Sequence, residues 1–291
     1  MSRKLASICK HRFIATASSK QCTLGRTANQ LRTLPSVGYL YLGEVPYHKA
    51  LEIQTKLCRR RIDEIYGNTR MSGAGIQGRM LSDVLLLLQH PPVYTNGRRN
   101  RGKLSSEEVL RLNGLGCDYV ETNRGGEITF HGPGQLVAYP IMYLKEHHLA
   151  TRCYVEGLEH TVAKTCAHFG IEAKGIAGFP GVWTSPTQKI AAIGTHVQRY
   201  VTSHGFALNC TTDMKWFREI VPCGLDGRTA VSMQALLAQQ KSSVDVSIDA
   251  VLPVVVKSFG EIFSCNIRPL NEVSPGTLDI INKLLLAIKE K

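Results

Sequence analysis

The alternation of apolar and polar positions divides the chain into short buried strands and amphipathic helices. Residues 84–88 form an unbroken apolar run that ends at His90-Pro91-Pro92, the pattern of a strand covered on both faces. Residues 190–193 and 206–208 have the same character, and 135–144 is a longer apolar strand. Residues 37–42 predict a further strand, 93–95 resume an extended path after the prolines, and 181–184 with 189–194 read as a strand pair. Helical spacing appears elsewhere. Pro46 suits the first turn of a helix reaching about Tyr66, with Leu51, Cys58, Ile62 and Ile65 on one face; Lys56, Arg59, Arg60 and Arg61 then read largely as its solvated side. Val155, Leu158, Val162, Cys166 and Phe169 advance by three, four, four and three, which predicts a helix over 151–169 stopped by Gly170. Ser105 and Glu108 have capping-box spacing at the head of a short helix that Gly114 ends. Short helices are expected over 213–220 and 231–239. A longer one is marked by Leu252, Val255, Val256, Phe259, Ile262 and Phe263, with Pro253 in its first turn, and a last one by Leu278, Ile281, Leu285 and Ile288. Strands and helices intermingle without strict β-α-β alternation. The expected fold is therefore α+β, a single domain with a mixed β-sheet flanked by helices.

Charge changes the picture at the N-terminus. Residues 1–43 contain seven Lys or Arg, many hydroxyl side chains and no Asp or Glu, and they lack a long apolar core. That composition is expected of a mitochondrial transit peptide, taken as 1–36, ahead of a catalytic domain over 37–291; the plainer account is a basic tail. The formal net charge of +12 falls to +5 without those seven residues. The remainder is only mildly basic, which weakens a nucleic-acid reading and suits acidic protein partners. No apolar run approaches the roughly 20 residues needed to span a bilayer. The nine cysteines are odd in number, scattered and free of any C-x-x-C pair, so a disulfide framework or zinc knuckle is not expected and a reducing compartment is.

Two stretches carry candidate chemistry. In RGGEITFHGPGQLVAYPIMYL (124–144), Gly125 and Gly126 permit close backbone approach to a ligand, and 131–134 must turn sharply. A β-hairpin is the simplest account, yet Arg124, His131 and Gln135 bring more polar function to that turn than a bare hairpin requires. A phosphate loop is excluded by the absence of G-x-x-x-x-G-K-[ST]. In 189–224, Lys189 stands at the rim of a buried strand and Cys223 is framed by Pro222 and Gly224. A cation beside a thiol favours the nucleophilic thiolate, so a Cys–Lys pair needs neither metal nor histidine. Sequence spacing alone does not bring the two together, and a buried structural cysteine is the alternative. His131, His147, His148, His196 and His204 show no metal-ligand spacing.

Together, RGGEITFHGPGQLVAYPI, KIAAIGTHVQRYVTSHGFALN and IVPCG, with LLLLQHPPVYTNGRR at 85–99, resemble the octanoyl-acyl-carrier-protein–protein octanoyltransferases of lipoate biosynthesis. The resemblance spans roughly 38–265 and, with the basic leader, is to the mitochondrial form. It implies the domain shared with the catalytic domains of lipoate and biotin protein ligases. It also implies a matrix acyltransferase without cofactor or metal, in which octanoyl passes from octanoyl-acyl carrier protein to a cysteine and then to the lysine ε-amine of a lipoyl domain. The implied acceptors are lipoyl domains such as glycine cleavage H protein and the acyltransferase subunits of 2-oxoacid dehydrogenases; nucleic acid and membrane are not among the partners. The implied nucleophile is Cys223 and its activating base Lys189. Substrate contacts map to Arg124, Gly125, Gly126, Glu127, Ile128, Thr129, Phe130 and His131, to Ala192, Ile193 and Gly194, and to Gly205, Phe206 and Ala207. Ile190, Ile193, Val197 and Phe206 are candidates for an octanoyl slot or simply for core. Loop 67–79 is long for the family, and 266–291 extend past the matched part. Rival readings are an ATP-dependent lipoate or biotin-type ligase, against which Cys223 argues, and a non-catalytic carrier- or RNA-binding protein.

Overall fold

The computed structural model describes residues 34–67, 82–220 and 227–286. The leader up to residue 33, nearly all of loop 67–79, Cys223 with its neighbours Pro222 and Gly224, and Ile288 lie outside the described residues.

β1 (Ser36–Glu44) leads into α1 (Tyr47–Tyr66), then β2 (Asp83–Gln89), β3 (Val93–Asn96), α2 (Ser106–Gly114), β4 (Asp118–Glu121), β5 (Thr129–His131) and β6 (Gln135–Ile141). α3 (Thr151–His168) follows, then β7 (Lys174–Ile176), β8 (Phe179–Trp183), β9 (Gln188–Gln198) and β10 (Val201–Asn209). The chain finishes with α4 (Lys215–Arg218), β11 (Thr229–Ala230), α5 (Met233–Gln239), α6 (Ile248–Phe263), β12 (Asn266–Pro269), α7 (Leu270–Val273) and α8 (Pro275–Leu286). The large sheet runs β12-β1-β2-β6-β10-β9-β8-β7, with β11 pairing to β9, and a small sheet runs β4-β3-β5. β1 is parallel to β12 and β2, while β2 through β10 to β7 are joined antiparallel. The sheet is mixed, as the sequence predicts.

Both faces of the large sheet are covered, which is why its central strands read as continuous apolar runs. Along β2, Leu85 and Leu87 face a core shared with α3, α5 and α6; Val84, Leu86 and Leu88 face another shared with α1 and α8. β6 divides the same way, Leu136 and Ala138 against Val137, Tyr139 and Ile141. Each fully buried leucine contributes about 2 kcal/mol by area removed from water. A third cluster joins Tyr94, Ile128 and Phe130 of the small-sheet region to Phe217 and Ile220. No helix among the described residues is long and apolar enough to cross a membrane.

Four expectations change. β5 and β6 are not a hairpin: β5 pairs with β3 in the small sheet and β6 with β2 and β10 in the large one. The 132–134 turn hands the chain between sheets, and Gly134 serves it at φ 77, where a Cβ would lie 2.5 Å from Thr211 Oγ1. The buried face of α1 is rotated towards Ala50, Ile53 and Leu57, leaving Leu51, Cys58 and Ile65 half-buried. Arg61 is not solvated. It is buried and pairs with Glu146 at 2.7 Å and Asp83 at 3.4 Å, while His147 Nε2 holds the other Asp83 oxygen at 2.6 Å. α6 begins at Ile248, capped by Ser247, so Pro253 sits past its first turn. The C-terminal stretch past residue 265 is part of the fold: β12 extends the large sheet beside β1 and α8 packs with α1.

Candidate active site

Between the small sheet and the β9–β10 face of the large sheet lies a trench of about 200 Å³. Its floor is strand: Ala192, Ile193 and Gly194 from β9, Gly205, Phe206 and Ala207 from β10, and Val137 and Tyr139 from β6. The 124–129 segment forms a wall through Arg124, Gly126, Glu127 and Thr129, with His131 beyond them. This segment is clamped to the floor, Gly125 N–H donating to the Thr195 carbonyl at 2.9 Å. Gly194 makes that approach possible, because a Cβ there would stand 2.9 Å from the Gly125 oxygen and 3.0 Å from Arg124 Cδ.

Lys189 stands at one end of the trench, half-buried, with Nζ 4.6 Å from the centre of the Trp183 ring. Arg228 shares those aromatic faces, 3.7 Å from Phe179 and 5.1 Å from Trp183. The chain enters the 221–226 segment from α4, whose Phe217 borders the trench. It leaves that segment into Arg228, Thr229 and Ala230, which border it too. β11 then lies beside β9 with Ala230 opposite Lys189. The wall carries Arg99, Arg124, Lys189 and Arg228 against the single carboxylate of Glu127 among its described residues, so the site is electropositive.

The opposite end is polar, and His131, Gln135, Thr95 and Arg124 bond to one another there, while Tyr47 Oη and His204 Nδ1 are buried without a hydrogen-bond partner among the described residues. His131 Nδ1 meets Gln135 Oε1 at 2.7 Å and Nε2 meets Thr95 Oγ1 at 3.2 Å. Arg124 donates to the Thr95 hydroxyl at 2.8 Å and to its carbonyl at 2.6 Å. Burial first, then the nearby His90 and Arg124, push His131 well below the ordinary histidine range and keep it neutral. Burial and Arg124 lower His204 to about 3. His204 has φ 55 inside β10, and its N–H donates to Gln54 Oε1 of α1 at 2.7 Å. Tyr47 stacks on His131 with ring centres 5.9 Å apart.

Of the residues expected at the site, Lys189, Arg124, Gly126, Glu127, Thr129, His131, Ala192, Ile193, Gly194, Gly205, Phe206 and Ala207 border this one trench. Gly125 adjoins it through the clamp to β9. Ile128 and Phe130 belong instead to the third apolar cluster, where Phe130 stacks on Trp216 at 5.3 Å. Ile190 and Val197 pack into the main core and Ile193 and Phe206 into both core and trench. Tyr47, Tyr139, Trp183, Asn209 and Arg228 also border the trench, and nothing local in the sequence marks an isolated Tyr or Asn as cavity-facing. Among the described residues no group of three His, Cys, Asp or Glu is placed to hold a metal ion.

The fold is that of the lipoate ligases. The bipartite lipoate protein ligase of Thermoplasma acidophilum superimposes with a TM-score of 0.54 at 15% identity, over 81% of this chain and 86% of that one. The sequence profile of the lipoyl protein ligase A/B catalytic domain matches residues 46–260. Mitochondrial octanoyl-(acyl-carrier-protein):protein N-octanoyltransferase of Danio rerio is 43% identical over 235 residues, covering 81% of this chain and 96% of its own length. The octanoyltransferase of Acidobacterium capsulatum is 39% identical over 253 residues, covering 82% and 94%. The chain belongs to the octanoyltransferases of the lipoyl protein ligase A/B family, and it is an acyl-transferring enzyme.

Proposed function

We propose that the enzyme takes octanoyl from octanoyl-acyl carrier protein onto Cys223 and passes it to the lysine ε-amine of a lipoyl domain, in the mitochondrial matrix. The observation that carries this reading is the position of Lys189: it borders the same electropositive, largely apolar-floored trench as Phe217, which precedes segment 221–226, and Arg228, Thr229 and Ala230, which follow it. In the first step the Cys223 thiolate attacks the thioester carbonyl, and the carbon–sulfur bond to the carrier's phosphopantetheine breaks, releasing its thiol after protonation. In the second, the acceptor amine attacks the new thioester, loses a proton and expels the Cys223 thiolate. As a cation Lys189 favours the Cys223 thiolate and gives its proton to the departing carrier thiolate; the neutral amine so formed accepts the proton of the acceptor amine in the second step. Ile193, Phe206, Val137 and Trp183 offer apolar surface to the acyl chain. The basic leader suits import, and lipoyl domains such as glycine cleavage H protein and 2-oxoacid dehydrogenase acyltransferase subunits are the acceptors.

Other thiols fit the role poorly. Burial raises Cys58, Cys166 and Cys210 to about 12 and also raises Cys117, so each stays a thiol at neutral pH. Intact-mass measurement after incubation with octanoyl-acyl carrier protein tests the reading. The wild type gains one octanoyl group that hydroxylamine removes and an acceptor domain discharges, and Cys223→Ser accumulates no thioester. Acyl group trapped on Cys210, or full transfer by Cys223→Ala, refutes it.

A further inference from the structure

The hydrogen bonds at the polar end of the trench allow only one direction. Arg124 has donors alone, and Nη2 gives a hydrogen bond to Thr95 Oγ1 at 2.8 Å. Gln135 Oε1, 2.7 Å from His131 Nδ1, has only lone pairs to offer, so Nδ1 carries the ring proton. Nε2 is then an acceptor and takes the Thr95 hydroxyl proton at 3.2 Å. With its oxygen committed to His131, the Gln135 amide nitrogen donates to Asn209 Oδ1 at 2.8 Å and to the Phe130 carbonyl at 3.2 Å. That in turn leaves Asn209 Nδ2 to donate to the Val231 carbonyl at 3.2 Å. Val231 N–H closes on the Lys189 carbonyl at 2.9 Å. Asn209 is almost wholly buried, so water does not substitute for a lost link without cost.

We infer that Asn209, held in one amide orientation by this relay, positions Lys189 for acyl transfer by pinning Val231, the residue hydrogen-bonded to the lysine's backbone. The relay crosses from the small sheet to the large one and ends where the chain returns from segment 221–226. It therefore transmits the seating of the 124–131 wall to the lysine's strand. Because its polar groups are spent on one another, it does so without offering hydrogen bonds that compete with an apolar acyl chain. The inference rests on the role assigned to Lys189.

Asn209→Asp keeps the acceptor for Gln135 but sets a carboxylate oxygen against the Val231 carbonyl; Asn209→Leu removes both links without adding charge. Gln135→Glu breaks the relay one step earlier, losing the donor to Asn209 while keeping the acceptor for His131. Acylation by octanoyl-acyl carrier protein is measured for each beside Thr165→Val, a buried α3 site whose hydroxyl bonds only within its helix. The expected result is a fall in kcat of about tenfold or more with KM within about twofold, since small misplacement of reacting groups costs rate more than binding. Thr165→Val keeps wild-type kcat at a comparable fall in Tm. Wild-type kcat in any folded relay variant, or a raised KM with kcat unchanged, overturns the inference. Lys189→Ala runs alongside: full activity there removes the lysine's role and the relay's purpose with it, whereas an inactive Lys189→Ala beside fully active Asn209 variants removes the relay alone.

Discussion

Three buried imidazoles, His131 and His204 on the trench and His90 beside His131, should make the enzyme acid-labile, and His90 offers the clearest measurement. Its Nδ1–H donates to the Val45 carbonyl at 2.6 Å and Nε2 accepts from the Tyr139 hydroxyl at 2.8 Å, an arrangement complete only for the neutral ring. Burial lowers it to about 4, the Val45 bond opposing only in part. Its folded-state value lies below the unfolded one of about 6.5. The unfolded chain thus binds the extra proton first as pH falls, and the stabilisation present above about 6.5 is lost between there and about 4. Over that window the loss is about 3 kcal/mol, of which about 2 kcal/mol falls between pH 7 and pH 5. His204, lowered to about 3, behaves alike, and burial lowers His131 in the same direction. Their rings also oppose one another's charging, His90 and His131 being 5.8 Å apart. His90 and His204 together cost about 4 kcal/mol by pH 5, a sizeable part of the 5–15 kcal/mol that holds a typical domain folded. Urea unfolding of wild type and His90→Gln at both pH values reads the effect. Glutamine retains a donor and an acceptor but does not titrate, so the variant's stability should drop by about 2 kcal/mol less than wild type's between pH 7 and pH 5. An equal drop in both proteins refutes the assignment of a neutral, buried His90.

Other outcomes follow from single contacts. Lys189→Ala should raise the apparent pKa of Cys223 alkylation and slow transfer. Lys189→Arg should keep part of the charge effect yet lose proton acceptance, because guanidinium stays protonated; an alkylation profile unchanged in Lys189→Ala would remove the lysine from this role. Arg61→Ala leaves Asp83 buried without its cation and should cost about 3–5 kcal/mol in denaturant unfolding, whereas Arg59→Ala on the exposed side should change stability by about 0.5 kcal/mol or less. Gly194→Ala crowds the Gly125 carbonyl and should cost about 1–3 kcal/mol of stability while displacing the 124–126 wall, seen as a loss of transfer in steady-state assays. A chain beginning at Leu34 keeps β1 whole and should transfer octanoyl in vitro but fail to enter mitochondria; efficient import would defeat the leader assignment.

Features that depend on neighbours along the chain were legible before any fold was known. β2 and β6 were legible because burial on both faces leaves unbroken apolar runs, β9 and β10 from shorter apolar runs beside the trench they floor, and α3 because its stripe repeats within a few residues. The Ser105 cap was legible for the same reason, its hydroxyl accepting from Glu108 N–H three residues on at 3.2 Å. Lys189 could be placed at a strand's rim and Cys223 named as a chemical candidate, but no spacing said what either faces. The parting of β5 and β6 into different sheets was settled by the fold. It alone withdrew Arg61 from solvent to meet Asp83 and Glu146, and turned Ile128 and Phe130 away from the trench. Gln135 finds Asn209 across 74 positions of sequence, and Arg124 finds Thr95 across 29. Such partners are chosen by strand order and by the need of buried polar groups for hydrogen bonds, and neither leaves a local period to read.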